Sequence, residues 1–305
     1  MRSSVLGLEL AQKGHKICFY GEQDFPDWVW EYLTLNGFCI HDSSVQKKHN
    51  YPPSIIFVDT YSSTKFENLL QLYYKIPLVT IEDTFTPALN SRFKIIQSLE
   101  PTVPQEIEFS PYRRQLSGPD FLLLRKSLAS LARIKSGNTM TKNVLVMSGG
   151  SDSTGFSAAL VQVLPYFEQS YFFHVIRDVP DNFSVQNKLI KFYPFGTRPE
   201  NLDLDFAVAI CLAGVSSLEI LSAGIPLVVS SGTDNQLPLY KYLTSMRYAI
   251  PLTPKDEIRG WLFTPEDLLL ALNAASEYGK GEVLFDYNGP SRILSNLEIW
   301  FGLAF

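Results

Sequence analysis

The chain has 305 residues, 46% of them hydrophobic and 19% charged. At about 150 residues per domain this predicts two globular domains and excludes wholesale disorder. Lysine and arginine number 26 against 31 aspartates and glutamates, a net charge of −5, with no long basic run, which excludes a general nucleic-acid binder but leaves room for small anions held by backbone amides.

Ser3–Lys13 has helical apolar spacing through Val5, Leu6, Leu8, Leu10 and Ala11, and Gly14 supplies the stop. In a βα fold the opening helix follows a strand, and here no strand precedes it. The expectation is a fold short of its first strand, or a chain that starts late. Lys16–Tyr20 then reads as a buried strand, Trp28–Asn36 as a helix and Ser54–Asp59 as a strand ending in a carboxylate. Lys65–Tyr74 reads as a helix and Pro77–Ile81 as a strand. Short apolar runs alternating with amphipathic segments mark βαβ units and a parallel sheet. Pro101–Arg114 contains prolines and reads as loop; a helix from Asp120 to Ile134 leads into the polar stretch Lys135–Lys142. The domain boundary is placed there, giving 1–138 and 139–305.

The alternation restarts beyond it. Strands are predicted at Val144–Met147, Tyr171–Ile176, Leu189–Tyr193, Phe206–Leu212 and Pro226–Ser230. Helices are predicted at Thr154–Leu164, Ser216–Ser222, Leu237–Met246, Pro265–Ala275 and, closing the second domain, Arg292–Phe301. The expected architecture is α/β, with two Rossmann-like parallel-sheet domains facing a cleft. Cys18, Cys39 and Cys211 form no C-x-x-C pair, and His15, His41, His49 and His174 lack metal-ligand spacing. Neither a disulfide framework nor a zinc site is expected, and no metal or cofactor is assigned. No apolar run reaches about 18 residues, so no membrane span is expected. No full signal peptide is present, and the cytoplasm is the default compartment.

The clearest local signal is Met147-Ser-Gly-Gly-Ser-Asp-Ser153, between a strand and a helix. Gly149 and Gly150 allow close backbone approach, and the amides of Ser151, Asp152 and Ser153 can face a phosphate. An ordinary turn capped by Asp or Ser is equally weighted. The second signal is Leu212-Ala-Gly-Val-Ser-Ser-Leu-Glu219, where Gly214, Ser216 and Ser217 make another small-residue pocket. Glu219, one turn into the helix, is within reach of ribose hydroxyls, although N-capping explains the pattern too. Two such turns at carboxyl ends of one sheet should open to one crevice. Gly232-Thr-Asp-Asn-Gln236 offers polar side chains, Asn235 and Gln236 among them, at the same edge, and the residues alone favour a plain loop there. Asp59, Glu82 and Asp83 lie at strand ends of the first sheet and are functional candidates there, with capping and turn roles equally open. His174 is expected to be packed.

These motifs, in order, resemble the UDP-sugar hydrolases of pseudaminic acid biosynthesis and the related spore-coat polysaccharide proteins, of the two-domain GT-B architecture. The family's Gly-Pro-x-Tyr-Ala-Leu-Leu-Arg is similar to Gly118-Pro-Asp-Phe-Leu-Leu-Leu-Arg125. Its strand with a Gly-Gly-Ser-Asp turn is similar to Val144–Asp152, and its Ala-Gly-Gly-Ser-Thr-Ser-Trp-Glu run to Ala213–Glu219. Gly224-Ile-Pro226, Asp234-Asn-Gln236, Val58-Asp-Thr-Tyr61 and Glu82-Asp83 follow the same order. The resemblance implies that Gly149, Gly150, Ser151, Ser216 and Ser217 meet a pyrophosphate, that Glu219 binds ribose, and that Asn235 and Gln236 lie near the sugar. It implies that backbone near Phe195-Gly-Thr-Arg198 holds uracil. The family's catalytic His and opening strand would lie before Met1, and Thr60 stands where the family has another His. Asp59 and Asp83 are the substitutes for the base. Three readings compete: a hydrolase releasing UDP from a deoxy-diacetamido hexose for a cell-surface glycan, a GT-B glycosyltransferase using a UDP-sugar donor, and a non-catalytic UDP-sugar binder. The oligomeric state is left open.

Overall fold

The computed structural model describes the chain except for residues 1, 22–25, 43–51, 61–62, 84–88, 90, 100–113, 134–141, 168–170, 180–188, 278–283 and 304–305. Most of the predicted loop Pro101–Arg114, and the predicted boundary up to residue 141, lie outside the described residues. The contacts divide the chain into two units: Met1–Leu124 with Tyr287–Phe305, and Arg125–Asp286.

In chain order the first unit carries α1 (Arg2–Gln12), β1 (Cys18–Gly21), α2 (Asp27–Leu35), β2 (Cys39–Asp42), β3 (Ile56–Val58), α3 (Ser63–Leu72), β4 (Leu78–Glu82), β5 (Phe93–Ile96) and β6 (Arg114–Ser117). Among the described residues all strand pairs of this unit are parallel, in two separate sheets: β1-β2 and β3-β4-β5-β6. Helix α1 serves both. Leu6 and Leu10 pack with Val79, Ile81 and Ile95 of the four-stranded sheet. Leu8 and Ala11 pack with Phe19, Phe38 and Ile40 around the two-stranded one. A side chain at Gly7 would press on the Phe19 ring at 3.2 Å, so a small residue lets the helix lie close to that sheet.

The predicted helix Asp120–Ile134 is a correction. The chain forms short 3₁₀ turns at Pro119–Phe121 and Lys126–Arg133, with Leu122–Leu124 running between them. Leu122, Leu123 and Leu124 are each no more than 1% exposed, and three consecutive buried residues exceed what one stripe of a surface helix hides. Gln97 fixes the segment, its amide donating to the Phe121 carbonyl at 3.1 Å and its oxygen accepting from the Leu123 amide at 2.7 Å.

The second unit carries β7 (Lys142–Met147), α4 (Phe156–Val163), β8 (Tyr171–Ile176), β9 (Ile190–Tyr193), β10 (Val208–Leu212), α5 (Val215–Ser222), β11 (Leu227–Ser230), α6 (Leu237–Ser245), β12 (Ile250–Pro251) and α7 (Pro265–Glu277). Among the described residues its six strands form one parallel sheet in the order β12-β11-β10-β7-β8-β9. The strands β7, β8, β10 and β11 are nearly all buried, which is why they read as continuous apolar runs. The closing helix, α8 (Gly289–Phe301), corrects the sequence division, which gave it to the second domain. Its Ile293, Leu294 and Leu297 complete the core of the first unit, against Leu6, Val79, Ile95 and Leu123.

His174, on β8, is packed as expected, at 3% exposure. A neutral ring with its proton on Nε2 satisfies both neighbours: it donates to Asn143 Oδ1 at 3.2 Å and accepts from the Tyr193 hydroxyl at 2.9 Å. Burial, then the charge of Lys191, push its pKa down to about 4, from an ordinary 6.5. The unfolded chain therefore takes up the proton first as pH falls. Stability from this site is full above pH 6.5 and drains between there and about 4. The expected loss is about 3 kcal/mol, read as a lower urea midpoint of the second unit. His174→Gln should flatten that dependence.

Candidate functional site

Numbered by order within the second unit, its strands run 6-5-4-1-2-3, so the direction of winding reverses between β7 and β10. In open parallel sheets the crevice beyond the carboxyl ends of such a strand pair is where ligands bind. Met147 pairs with Cys211 in register, so the two chains leave the sheet side by side. Beyond β7 comes Gly149-Gly150-Ser151; beyond β10 comes Gly214-Val215-Ser216. The structure thus brings both predicted turns to one edge. The loop after β11 joins them: a side chain at Gly232 would strike Thr154 Cγ2 at 2.8 Å, so the loops after β7 and β11 touch.

The two turns differ in what they leave open. Gly149 has φ +95°, a conformation that favours glycine, and Gly149, Gly150 and Ser151 are exposed. The N-terminus of α4 is not open: the Asp152 carboxylate accepts from the Ser157 amide at 3.0 Å and the Ala158 amide at 2.9 Å. The capping alternative therefore holds at Asp152, and anion binding at this turn falls to the glycine amides. Arg177, just past β8, reaches the same carboxylate at 3.3 Å. It brings a cation to this edge that the sequence reading missed; an arginine directly after a predicted strand was the available signal.

At α5, Ser217 is buried and its hydroxyl closes a capping box, donating to the Gly214 carbonyl at 2.6 Å and accepting from the Gly214 amide at 3.2 Å. Its hydroxyl is thus engaged in capping, the alternative that the sequence left open. Val215 and Ser216 occupy the first turn, where helix amides have no partner within the helix. Glu219 is likewise engaged within the protein. It is 4% exposed, and both carboxylate oxygens are engaged by Arg125. Arg125 Nε donates to Oε1 at 2.9 Å, its terminal nitrogen to Oε2 at 2.8 Å and its backbone amide to Oε1 at 3.1 Å. The structure gives this carboxylate to an arginine where the sequence reading gave it to a ribose.

Asn235 and Gln236 lie in the loop after β11. Gln236 Oε1 accepts from the Gly232 amide at 2.9 Å, and Asn235 Oδ1 from the Thr233 hydroxyl at 2.6 Å. These bonds hold the loop in shape and use the oxygens of both carboxamides. Gly196 lies in a turn beyond β9, with Thr197 donating to the Pro194 carbonyl, so this segment also follows a carboxyl strand end.

The two base candidates sit in the first unit. Arg2, 9% exposed, pairs with both Asp59 and Asp83, and Ser3 donates to Asp59 at 2.5 Å. Burial alone would raise the Asp59 carboxyl, but the hydrogen bonds and charge of Arg2 and the Ser3 hydroxyl hold it below the ordinary carboxylate range. A general base works best with a pKa near the operating pH, and a carboxylate pinned low by arginine is a weak one. Geometry makes this trio an ion-pair anchor for the start of α1.

No family model matches the chain, and no curated protein matches it. Among solved structures, the glycosyltransferase of kitacinnamycin is 16% identical, with 98% of this chain and 95% of that one covered, at a TM-score of 0.64. MurG of Acinetobacter baumannii is 12% identical over 98% and 95%, at 0.58. Arabidopsis thaliana UGT89C1, solved with UDP, is 12% identical over 96% and 95%, at 0.61. At these identities the likeness establishes the fold: the chain has the α/β, two-domain Rossmann-like architecture of GT-B glycosyltransferases.

Proposed function

We propose that the second unit binds the diphosphate of a UDP-sugar across Gly149–Ser151 and Gly214–Ser216, and that the chain is an enzyme of glycosyl transfer. The observation that carries this is the placement of both turns at the reversal of strand order, with the amides of a helix first turn on one side and Arg177 near the other. The UDP-complexed neighbour supports the nucleotide. Phe195–Arg198 would hold uracil through backbone groups, and Asn235 and Gln236 would lie near the sugar.

In the reaction the bond between the sugar's anomeric carbon and the diphosphate breaks, and its electron pair leaves with UDP. Glycine-turn and α5 amides stabilise the charge that grows there because they are fixed in place beforehand. The sugar passes through an oxocarbenium-like state. The oxygen of an acceptor hydroxyl then bonds to the anomeric carbon, its proton going to the departing diphosphate or to water, the reading that the glycosyltransferase neighbours favour. Water in its place would complete hydrolysis, the reading favoured by the ordered motif resemblance to UDP-sugar hydrolases of deoxy-diacetamido hexoses. Neither Asp59 nor Asp83 is kept as the base, since Arg2 engages both.

Calorimetric titration with UDP tests the site, with Ser216→Asp as the variant. Aspartate in a helix first turn favours the helix by about 0.3–1 kcal/mol, so α5 should stay folded. The same charge opposes a diphosphate, and affinity should fall about 100-fold. Wild-type protein that ignores UDP, or a variant that binds equally well, would remove the reading. UDP release from a UDP-sugar with and without an added acceptor then separates transferase from hydrolase; UDP binding with neither leaves a non-catalytic binder.

A further inference from the structure

Spacing along the sequence gives no metal signature, but strand pairing does. Cys18 on β1 and Cys39 on β2 are register partners in adjacent parallel strands, so their side chains leave the same face. His41 lies two residues beyond Cys39, on that face again. Phe19 and Ile40, alternating with them, turn to the opposite face and pack among the α1 and α2 side chains. One side of this two-stranded sheet is therefore core. The other carries two thiols and an imidazole, all half-buried. Their donor atoms lie within 4.8 Å of one another, and Cys39 Sγ is 3.3 Å from His41 Nε2.

We propose that Cys18, Cys39 and His41 form a binding site for a thiophilic divalent cation such as zinc. Tetrahedral zinc bonds of about 2.3 Å to sulfur and 2.0–2.1 Å to nitrogen require donors roughly 3.5–4 Å apart, a span this cluster meets with small side-chain adjustments. Two sulfurs and one imidazole select a soft or borderline ion over magnesium or calcium. Three protein ligands leave one coordination position for water. The Tyr20 ring stacks on His41, with centroids 5.1 Å apart, and limits its rotation. The role follows from the fold. A two-stranded sheet is marginal by itself, and an ion ligated from both strands would lock β1 to β2. The site belongs to the first unit, and the glycosyl chemistry proposed above does not run through it.

One other arrangement competes with this one. A disulfide between Cys18 and Cys39 would leave the aim of the imidazole at Sγ unexplained. Cys211, the remaining cysteine, is 1% exposed on β10 and is no part of the cluster.

The test uses the full chain, reduced and stripped with a chelator, titrated with cobalt(II) and followed by absorption. One equivalent should bind, with the charge-transfer absorption of thiolate-bound cobalt and the intense visible bands of a tetrahedral ion, and zinc should displace it. Binding should release protons from the thiols. Cys18→Ser and Cys39→Ser should each weaken binding about 100-fold or more and reduce the charge-transfer absorption, with His41→Ala weakening it about 10–100-fold. Cys211→Ala should change neither. Circular dichroism of each variant without metal reports whether the fold persists. Reduced wild-type protein that shows no thiolate charge-transfer absorption would overturn the proposal. So would unchanged cobalt affinity in a folded Cys18→Ser variant, or thiols joined as a disulfide in protein whose reduced form takes no cobalt.

Discussion

Replacing Gly289 by alanine should destabilise the first unit by about 3 kcal/mol or more, although the change nominally favours a helix. Gly289 is the first residue of α8 and is packed against the backbone of Leu122. A Cβ there would fall on the Leu122 carbonyl oxygen, with the carbonyl carbon at 2.9 Å and the amide nitrogen at 3.0 Å. None of these atoms is the end of a flexible side chain that could swing away. Leu122 is itself fixed between a 3₁₀ turn and the Gln97-bound Leu123. Helix propensity alone predicts a gain of up to about 1 kcal/mol for alanine, so the sign of the effect decides between the two accounts. The measurement is denaturant unfolding followed by hydrogen exchange of β4 and β5 amides, which sit beneath α8. Ile299→Ala, at a position 78% exposed on the same helix, is the control and should do little.

The second large effect is expected at the Arg125–Glu219 pair. Glu219 is buried and the Arg125 side chain is only 15% exposed, and three hydrogen bonds join them. Glu219→Ala should cost about 3–5 kcal/mol, because a guanidinium is then held out of water without its carboxylate. Arg125→Met should cost a similar amount by stranding the carboxylate. Burial, with the Glu219 charge beside it, already pushes the Cys211 thiol far above its ordinary pKa, a sign of how little water reaches this place. The double variant Arg125→Met with Glu219→Leu should recover most of the loss, since apolar groups of similar size need no partner. Urea midpoints of the four proteins give the coupling. Full additivity would mean that the pair contributes no more than two independent side chains. This pair also makes Glu219→Ala a poor probe of nucleotide binding, which is why Ser216→Asp serves above.

Much of the fold could be read in advance for a simple reason. Strands buried on both faces must be apolar throughout, as β4, β7 and β10 are, and the half-buried β1 and β3 are short apolar runs as well. The predicted segments Lys16–Tyr20, Ser54–Asp59, Pro77–Ile81, Val144–Met147 and Phe206–Leu212 overlap them closely. The strands that escaped are those whose partners neutralise polar residues. β5 carries Lys94, whose amine meets Glu82 on β4 at 3.2 Å, and β6 reads Arg-Gln-Leu-Ser at a sheet edge. β2 is four residues long, with His41 and Asp42 at its end, and β12 is two. At the candidate site the glycines were legible because turns at strand ends demand them. The arginines were not. Arg2 meets Asp59, Arg125 meets Glu219, and Arg177 meets Asp152 across 57, 94 and 25 residues of chain. No local pattern encodes such pairings, so carboxylates that looked available for chemistry proved to be engaged. The metal-ligand cluster escaped in the same way: its members become neighbours only through strand register.

The return of α8 to the first unit has a consequence for how the protein is made. A ribosome delivers residues in order, and the second unit, Arg125–Asp286, is one uninterrupted stretch. It can condense as soon as it clears the exit tunnel. The first unit cannot. Its sheet residues Val79, Ile81 and Ile95 are synthesised early, yet Ile293, Leu294 and Leu297 that cover them come last. At roughly 5–20 residues per second, that apolar face waits on the order of ten seconds or more for its cover. The core of the first unit is thus closed only by residues translated after the whole of the second unit.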